Sequence, residues 1–258
     1  MQGFANETEI AEMKTAFLAW HDPGHRWFPV GRLSREDNHY TFVYTRGALA
    51  AYEAGFRPLP SFPSFQNSYS APGLFTAFTT RLLSQKRPEF SEFVSWLNLP
   101  VKSAQPWEVL VRSGGQRQTD AFEVFACPER DTEGRYSVQC FIRGLQHRTA
   151  EAIARAEQLQ VGERLLVEAE PDNSADELAV KTLTMGDVQH IGYLPRYLAH
   201  DVHRLGLDRL DVAVEHVNLP PTPIQFRVLV RVAAPWPSGF RSFADPEFEP
   251  LPDVTPAP

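Results

Sequence analysis

Between Tyr136 and Val232 the chain is cut into short runs of alternating apolar and polar residues, each closed by a turn signal. Residues 136–142 alternate as a strand. Residues 164–168, 178–183 and 190–194 form shorter runs, the last closed by Pro195. Residues 210–217 and 225–232 read as a closing antiparallel pair. Two helical patterns interrupt them. Thr149 is placed as an N-cap before Ile153, Ala156 and Leu159, with Gly162 as the stop, and residues 197–205 end at Gly206. Successive strand side chains point to opposite faces. Many short half-buried strands with few helices therefore cover one another best by curling into a small antiparallel barrel of the OB or SH3 kind. The expected core is Ile153, Leu159, Leu165, Val167, Val180, Ile191, Leu194, Val212, Val214, Phe226, Val228 and Val230.

The first hundred residues read as a separate α+β module. Residues 15–20 and 27–33 flank the turn signal Pro23-Gly24 and fit a hairpin. Residues 9–20 fit a helix as well, because Ile10, Met13, Phe17 and Trp20 fall near one face. Residues 40–45 read as a third strand and 48–54 as a short helix stopped by Gly55. The Pro-rich stretch 57–63 is a loop, and the aromatics of 58–65 suit an exposed protein-contact surface. Residues 74–83 and 88–97 read as amphipathic helices, the second with Pro88 near its first turn. Residues 108–112 and 121–126 read as short strands around Gly114-Gly115. The expected organisation is a module over 1–100, connecting strands and loop over 101–135, the barrel over 136–232, and a loosely ordered Pro-rich tail over 233–258.

Composition narrows the function. The chain has 258 residues and a net charge of −7, which argues against broad coating of nucleic acid but leaves room for a local site that reads an end or an edge. Its two cysteines, Cys127 and Cys140, build neither a disulfide framework nor, unaided, a zinc site. No apolar run approaches the ~20 residues of a membrane span, and the N-terminus lacks the basic and apolar regions of a signal peptide. A cytoplasmic protein without membrane contact is expected.

Enzyme signatures are missing. The chain contains no GxGxxG, Walker A, GxSxG or HExxH pattern. His21 and His25 bracket a Pro-Gly turn, which reads as a surface turn rather than a metal-binding helix face. Glu168, Glu170, Asp172 and Asp176 lack the Gly-centred ligand rhythm of a calcium loop. No cofactor, no metal and no catalysis are expected.

The most informative stretch is Glu170-Pro171-Asp172-Asn173-Ser174-Ala175-Asp176-Glu177-Leu178-Ala179-Val180. Short polar side chains in a loop between strands bond readily to neighbouring amides. Asn173 and Asp176 then serve the loop itself, or one carboxylate points outward to accept from a ligand hydroxyl. The residues alone leave both readings open.

Three separated motifs resemble the HIRAN domain family: Phe141-Ile142-Arg143-Gly144-Leu145-Gln146-His147, the 170–180 loop, and Ile191-Gly192-Tyr193-Leu194-Pro195-Arg196. They occur in order over roughly residues 136–215, with Gly162-Glu163-Arg164-Leu165-Leu166-Val167 between the first two. The resemblance implies an OB-like barrel that grips the 3′ end of single-stranded DNA. Asp176 matches the aspartate that accepts from the terminal hydroxyl, and Asn173 the asparagine that shapes the pocket. Gln146 and His147 fall where the family has Arg-Tyr, and a histidine still stacks on a base. Tyr193 and Arg196 fall among the aromatic and basic groups of the pocket. Ala175 replaces a stacking tyrosine and Leu178 an asparagine, which weakens the grip.

The N-terminal half is similar, more faintly, to the N-terminal domain of HipA-type kinases. The segments are Val30-Gly31-Arg32-Leu33, Tyr40-Thr41-Phe42-Val43-Tyr44, Arg57-Pro58-Leu59-Pro60, and Leu74-Phe75 through Arg81-Leu82-Leu83. That domain serves contacts, and no kinase segment follows here. The combined expectation is a bacterial, non-catalytic protein that binds single-stranded DNA or DNA 3′ ends in repair or stalled-fork processing. A protein partner for the N-terminal module goes with it. The alternative is a protein-interaction adaptor without nucleic-acid affinity, and RNA binding is a third reading.

Overall fold

The computed structural model describes residues 13–24, 26–117, 119–252 and 255–256. His25, and residues 1–12 of the N-terminal reading, lie outside them. The chain forms two compact units. The first gathers the described residues up to Arg81 with Gly114–Ala126 and the chain from Asp245 onward; the second holds Leu82–Ser113 and Cys127–Ala244. The chain thus passes between units after residues 81, 113, 126 and 244, whereas the sequence places boundaries near 100, 135 and 232.

In the first unit, β1 (Lys14–His21), β2 (Trp27–Glu36), β3 (His39–Tyr44) and β4 (Asn67–Ala71) run as an antiparallel meander, and β5 (Phe122–Ala126) pairs with β1. Residues 14–20 are strand, which settles the ambiguity in favour of the hairpin. The Asp22 carboxylate fixes the turn, accepting from the Arg26 backbone N–H at 2.8 Å and from Arg26 Nε at 2.6 Å. Two helices, α1 (Gly47–Glu53) and the single turn α2 (Thr76–Thr79), complete the α+β unit. Only that turn forms where 74–83 reads as a helix.

The aromatic loop is corrected. Phe62 is buried and stacks on Phe42 with centroids 4.1 Å apart, and Phe65 meets Tyr44 edge-on at 4.8 Å. Tyr44 donates to the Phe62 carbonyl at 2.8 Å and accepts from the Leu59 N–H at 2.7 Å, drawing the loop inward. Phe62 fills the core and Phe65 is half-buried, so the exposed aromatic surface expected over 58–65 does not form.

The second unit opens with α3 (Phe90–Trp96) and α4 (Pro106–Ser113). Residues 108–112 are helix, not strand. Gln105 stands at the N-cap, Pro106 occupies the first turn, and Glu108 Oε2 accepts from the Gln105 N–H at 3.2 Å, half of a capping box. A short apolar run does not by periodicity separate buried strand from buried helix. Val94, Leu97, Ala104 and Val109 pack with Phe141 and Leu229, which assigns 82–113 to this core.

The sheet of this unit is antiparallel: β6 (Glu129–Arg130), β7 (Tyr136–Phe141), β8 (Arg164–Ala169), β9 (Val180–Thr184), β10 (His190–Tyr193), β11 (Asp211–Val217) and β12 (Val228–Ala234). Their spatial order is β10-β9-β8-β11-β12-β7-β6. No ladder closes it into a full barrel, but one bridge, Arg143 to Tyr193, links the chain beyond β7 to β10. Two helices cover it, α5 (Ala150–Glu157) and α6 (Ala199–Leu205). Thr149 caps α5, its Oγ1 accepting from the Ala152 N–H at 3.2 Å. Most of the expected core is buried. Ile153, Val167 and Phe226 are only half-buried; for Ile153 the reason is that α5 presents Ala152 and Ala156 inward instead.

The tail is also corrected. Phe240 and Phe243 are buried in the second unit, and Phe248 and Leu251 in the first. Pro-richness removes periodicity without removing the apolar side chains that dock.

Candidate nucleic-acid interface

The site is organised by the bridge that joins β7 to β10. Arg143 and Tyr193 exchange backbone hydrogen bonds, Arg143 N–H to Tyr193 O at 2.9 Å and Tyr193 N–H to Arg143 O at 2.8 Å. The approach needs Gly192, whose φ is +141°: a β-carbon there would sit 2.4 Å from the Arg143 carbonyl oxygen. Gly144 then turns the chain with φ +76° into the 3-10 turn Leu145–His147. Leu145 is buried, while Gln146 and His147 are exposed and lie side by side, Gln146 Nε2 and His147 Nε2 3.2 Å apart.

The 170–180 loop faces this turn from the far end of the β8–β9 hairpin. Asn173 Oδ1 accepts from the N–H groups of Ala175 (3.0 Å) and Asp176 (3.2 Å), and Asp176 Oδ1 accepts from the Leu178 N–H at 3.0 Å. These are the self-satisfying Asx turns of the first reading. The second oxygen of Asp176 lies 3.4 Å from Nε of the exposed Arg196. The loop's own amides thus take one carboxylate oxygen and an arginine meets the other.

Tyr193 joins the loop to the bridge. Its hydroxyl donates to Glu170 Oε2 at 2.8 Å, and Asn173 Nδ2 donates to the same oxygen at 2.7 Å. Those two hydrogen bonds hold the Glu170 carboxyl below its ordinary range. Burial, and then the Glu170 carboxylate, push the Tyr193 phenol up. The other side of the ring is packed by His190 edge-on at 4.9 Å and by the Arg148 guanidinium at 5.4 Å. Arg148 Nη1 is 2.8 Å from His190 Nδ1, and His190 Nε2 is 3.0 Å from the Gly192 carbonyl. The carbonyl requires a donor, so the proton sits on Nε2 and Nδ1 accepts from Arg148. Burial, followed by the arginine charge, holds the His190 pKa below its usual value.

An open groove of about 520 Å³ lies beside the loop, lined by Glu170, Asn173, Ser174, Lys181 and Tyr193 among others, whereas Asp176, Arg196, Gln146 and His147 lie outside its lining. The structure brings Asn173, Asp176, Tyr193 and Arg196 together and places Gln146 and His147 on the turn next to Tyr193. Sequence reasoning passed over Arg148, His190 and Lys181. Arg148 immediately follows the Gln146-His147 pair, and its packing on Tyr193 depends on the bridge, which no local pattern announces. Lys181 lies one residue beyond the loop and is paired with Glu168 at 3.7 Å.

Burial pushes the Cys140 thiol up to about 12, so it is held as a thiol rather than a nucleophilic thiolate. His21, at the end of β1, lies 4.0 Å from Glu123. Among the described residues no group of three or more His, Cys, Asp or Glu is placed to hold a metal ion, and no helix is long and apolar enough to cross a membrane.

Residues 135–233 match the family model of the HIRAN domain. A crystal structure of a protein from Lactobacillus plantarum is similar over 39% of this chain and 97% of that one, at 20% identity and a TM-score of 0.31. The HIRAN domain of human HLTF is similar over 38% of this chain and 74% of that one, at 16% identity and a TM-score of 0.29. No curated protein matches.

Proposed function

We propose, because residues 135–233 of this chain are a HIRAN domain, that the protein binds nucleic acid at the groove beside Tyr193 and reads the end of a single DNA strand there. The HIRAN assignment supports a nucleic-acid-binding role in general; the end-reading is the finer proposal. One observation carries it: Asp176 uses one oxygen for its own loop and pairs the other with the exposed Arg196. That second oxygen accepts from a terminal 3′-hydroxyl once the guanidinium turns to the adjacent phosphate. His147 and Tyr193 supply rings at the turn, although Ala175 leaves one stacking position bare. We place the protein in the cytoplasm of a bacterium, in repair or stalled-fork processing, as a binding protein without catalysis of its own.

The test is fluorescence anisotropy with single strands carrying a free or a phosphorylated 3′ end. Asp176→Ala is expected to weaken the free-end strand by ~1.5–3 kcal/mol, about 10- to 150-fold. The phosphorylated strand is bound poorly by the wild type already, because its charge faces Asp176. Alanine variants of His147, Tyr193 and Arg196, which remove the ring or the charge, weaken every single strand. Equal binding of free and blocked ends by wild type and Asp176→Ala sinks the end-reading. Absence of any binding favours the adaptor reading, which the net charge of −7 and Ala175 support.

A further inference from the structure

Beyond the groove, a second surface of the same unit has the make-up of a strand-binding track. The 3-10 turn Arg196–Leu198 runs directly into α6, and along 196–204 the exposed residues are Arg196, His200 and Arg204. His200 and Arg204 are four residues apart in α6 and share one face, and Arg196 precedes them in the 3-10 turn. At 1.5 Å per residue the stripe is about 12 Å long, the reach of roughly three or four stacked nucleotides at ~3.4 Å each. It begins at the site itself: Arg196 faces Asp176, and His203 Nε2 lies 3.2 Å from the Leu178 carbonyl, fixing α6 against the loop.

The far end of the stripe is a separate, arginine–aromatic cluster. The Arg204 guanidinium lies over the Phe240 ring at 4.8 Å and donates to the Arg241 carbonyl at 3.2 Å. Trp236 meets Phe240 edge-on at 5.3 Å and donates its indole N–H to the Phe240 carbonyl at 3.0 Å. The exposed Arg130 covers Trp236 at 5.1 Å, and Arg241 is exposed beside it. Asp201, 3.6 Å from Arg204, is wholly buried, so over 196–204 the exposed side chains are Arg196, paired with Asp176, His200, and Arg204, paired with Asp201 from below. Arginines interleaved with aromatic rings are what a single strand's phosphates and bases take, without demanding a sequence.

We propose that this face carries a single-stranded nucleic acid onward from the end site, its phosphates along Arg196, His200, Arg204 and Arg241 and a base against Trp236. The inference rests on the end-binding reading, and the two fail differently.

The experiment compares a short oligothymidylate of about four nucleotides with a long one of about twelve, lengths within the ~4–16 nucleotides such folds occupy. Both carry a free 3′-hydroxyl, and both are titrated into the full chain by anisotropy. Wild type is expected to bind the long strand about tenfold more tightly than the short. Arg130→Glu with Arg241→Glu, exposed positions in the cluster beyond the roughly four nucleotides the stripe spans, is expected to remove that gain while binding the short strand like wild type. Arg204→Gln is expected to flatten the salt dependence of the long strand by about 0.7 in log–log slope. The long strand is expected to quench wild-type tryptophan fluorescence more than it quenches Trp236→Phe. Equal wild-type affinity for both lengths, or a double variant that keeps the gain, overturns the track and leaves the end site standing. If the wild type binds neither strand, both readings fall.

Discussion

The Tyr193 hydroxyl and the asparagine amide of Asn173 converge on a single oxygen of Glu170, at 2.8 and 2.7 Å. Tyr193 thereby lines the groove with its polar end used up. A ring fixed in this way stacks without paying rotamer entropy on binding, and its hydroxyl is not available to a ligand. Glu170, not Asp176, is the acid that organises the pocket.

Replacing Tyr193 by Phe keeps the ring and removes one donor to Glu170. The second unit is expected to lose about 1 kcal/mol, and the Glu170 pKa to rise toward the ordinary carboxylate value, read by NMR titration of side-chain carboxyls. Single-strand binding is expected to change little. A large binding loss in Tyr193→Phe would assign the hydroxyl to the ligand and contradict this account.

What the sequence makes legible here is local. The strands of the second unit, the Thr149 cap and the Asx turns of Asn173 and Asp176 follow from alternation, capping chemistry and short polar side chains. The pairing of Arg143 with Tyr193 is long-range, and so are the positions of Arg148 and His190 around the phenol. Neither leaves a periodic trace. The same division explains the misread 108–112 helix and the docked tail: periodicity gives the face that is apolar, while the packing partner decides helix, strand or burial.

Gly192 is the tightest point of the site. Gly192→Ala places a methyl against the Arg143 carbonyl and, at 2.6 Å, against Ile142 Cγ2, in a conformation L side chains rarely adopt. Overpacking and backbone strain together are expected to cost about 2–4 kcal/mol. The bridge amides of Arg143 and Tyr193 are expected to lose hydrogen-exchange protection before the β11–β12 pair does. Unchanged protection at those two amides would show that the bridge does not hold the site.

In the first unit, Phe62→Ala removes a fully buried ring from between Phe42, Tyr69 and Phe75. A loss of about 3–5 kcal/mol is expected by chemical denaturation. A surface role for this loop instead predicts a change near zero.

Asp201 is fully buried, and both its oxygens lie within reach of the Phe243 N–H, at 3.1 and 3.3 Å. Phe243 sits at φ +49°, a strained conformation for a phenylalanine, and the carboxylate helps hold it there. Asp201→Ala is expected to cost about 1–3 kcal/mol and to expose residues 236–244 to limited proteolysis. Asp201→Asn, which retains an acceptor, is expected to recover part of the loss. Equal protection of that segment in all three proteins would remove Asp201 as its anchor.

Acid should loosen the site in two steps. His190 has a lowered pKa in the fold, from burial and the Arg148 charge, and Glu170 has a lowered one from its two hydrogen bonds. In both cases the unfolded chain takes up the proton first. Stability therefore falls with pH wherever the unfolded group is protonated and the folded one is not. For His190 that loss begins as pH drops below about 6.5 and is complete once pH has passed its folded value; for Glu170 it begins near the ordinary carboxylate range, about 4.3. In the first step an imidazolium can no longer accept from Arg148 and repels it, so the guanidinium leaves the Tyr193 ring. Denaturation midpoints measured from pH 8 down to about 3, past the ordinary carboxylate range, are expected to fall in wild type across the histidine range, and His190→Gln is expected to be flat there while keeping the carboxylate step. A His190→Gln protein with the same decline between pH 7 and 5 would show that the histidine is not the group being titrated.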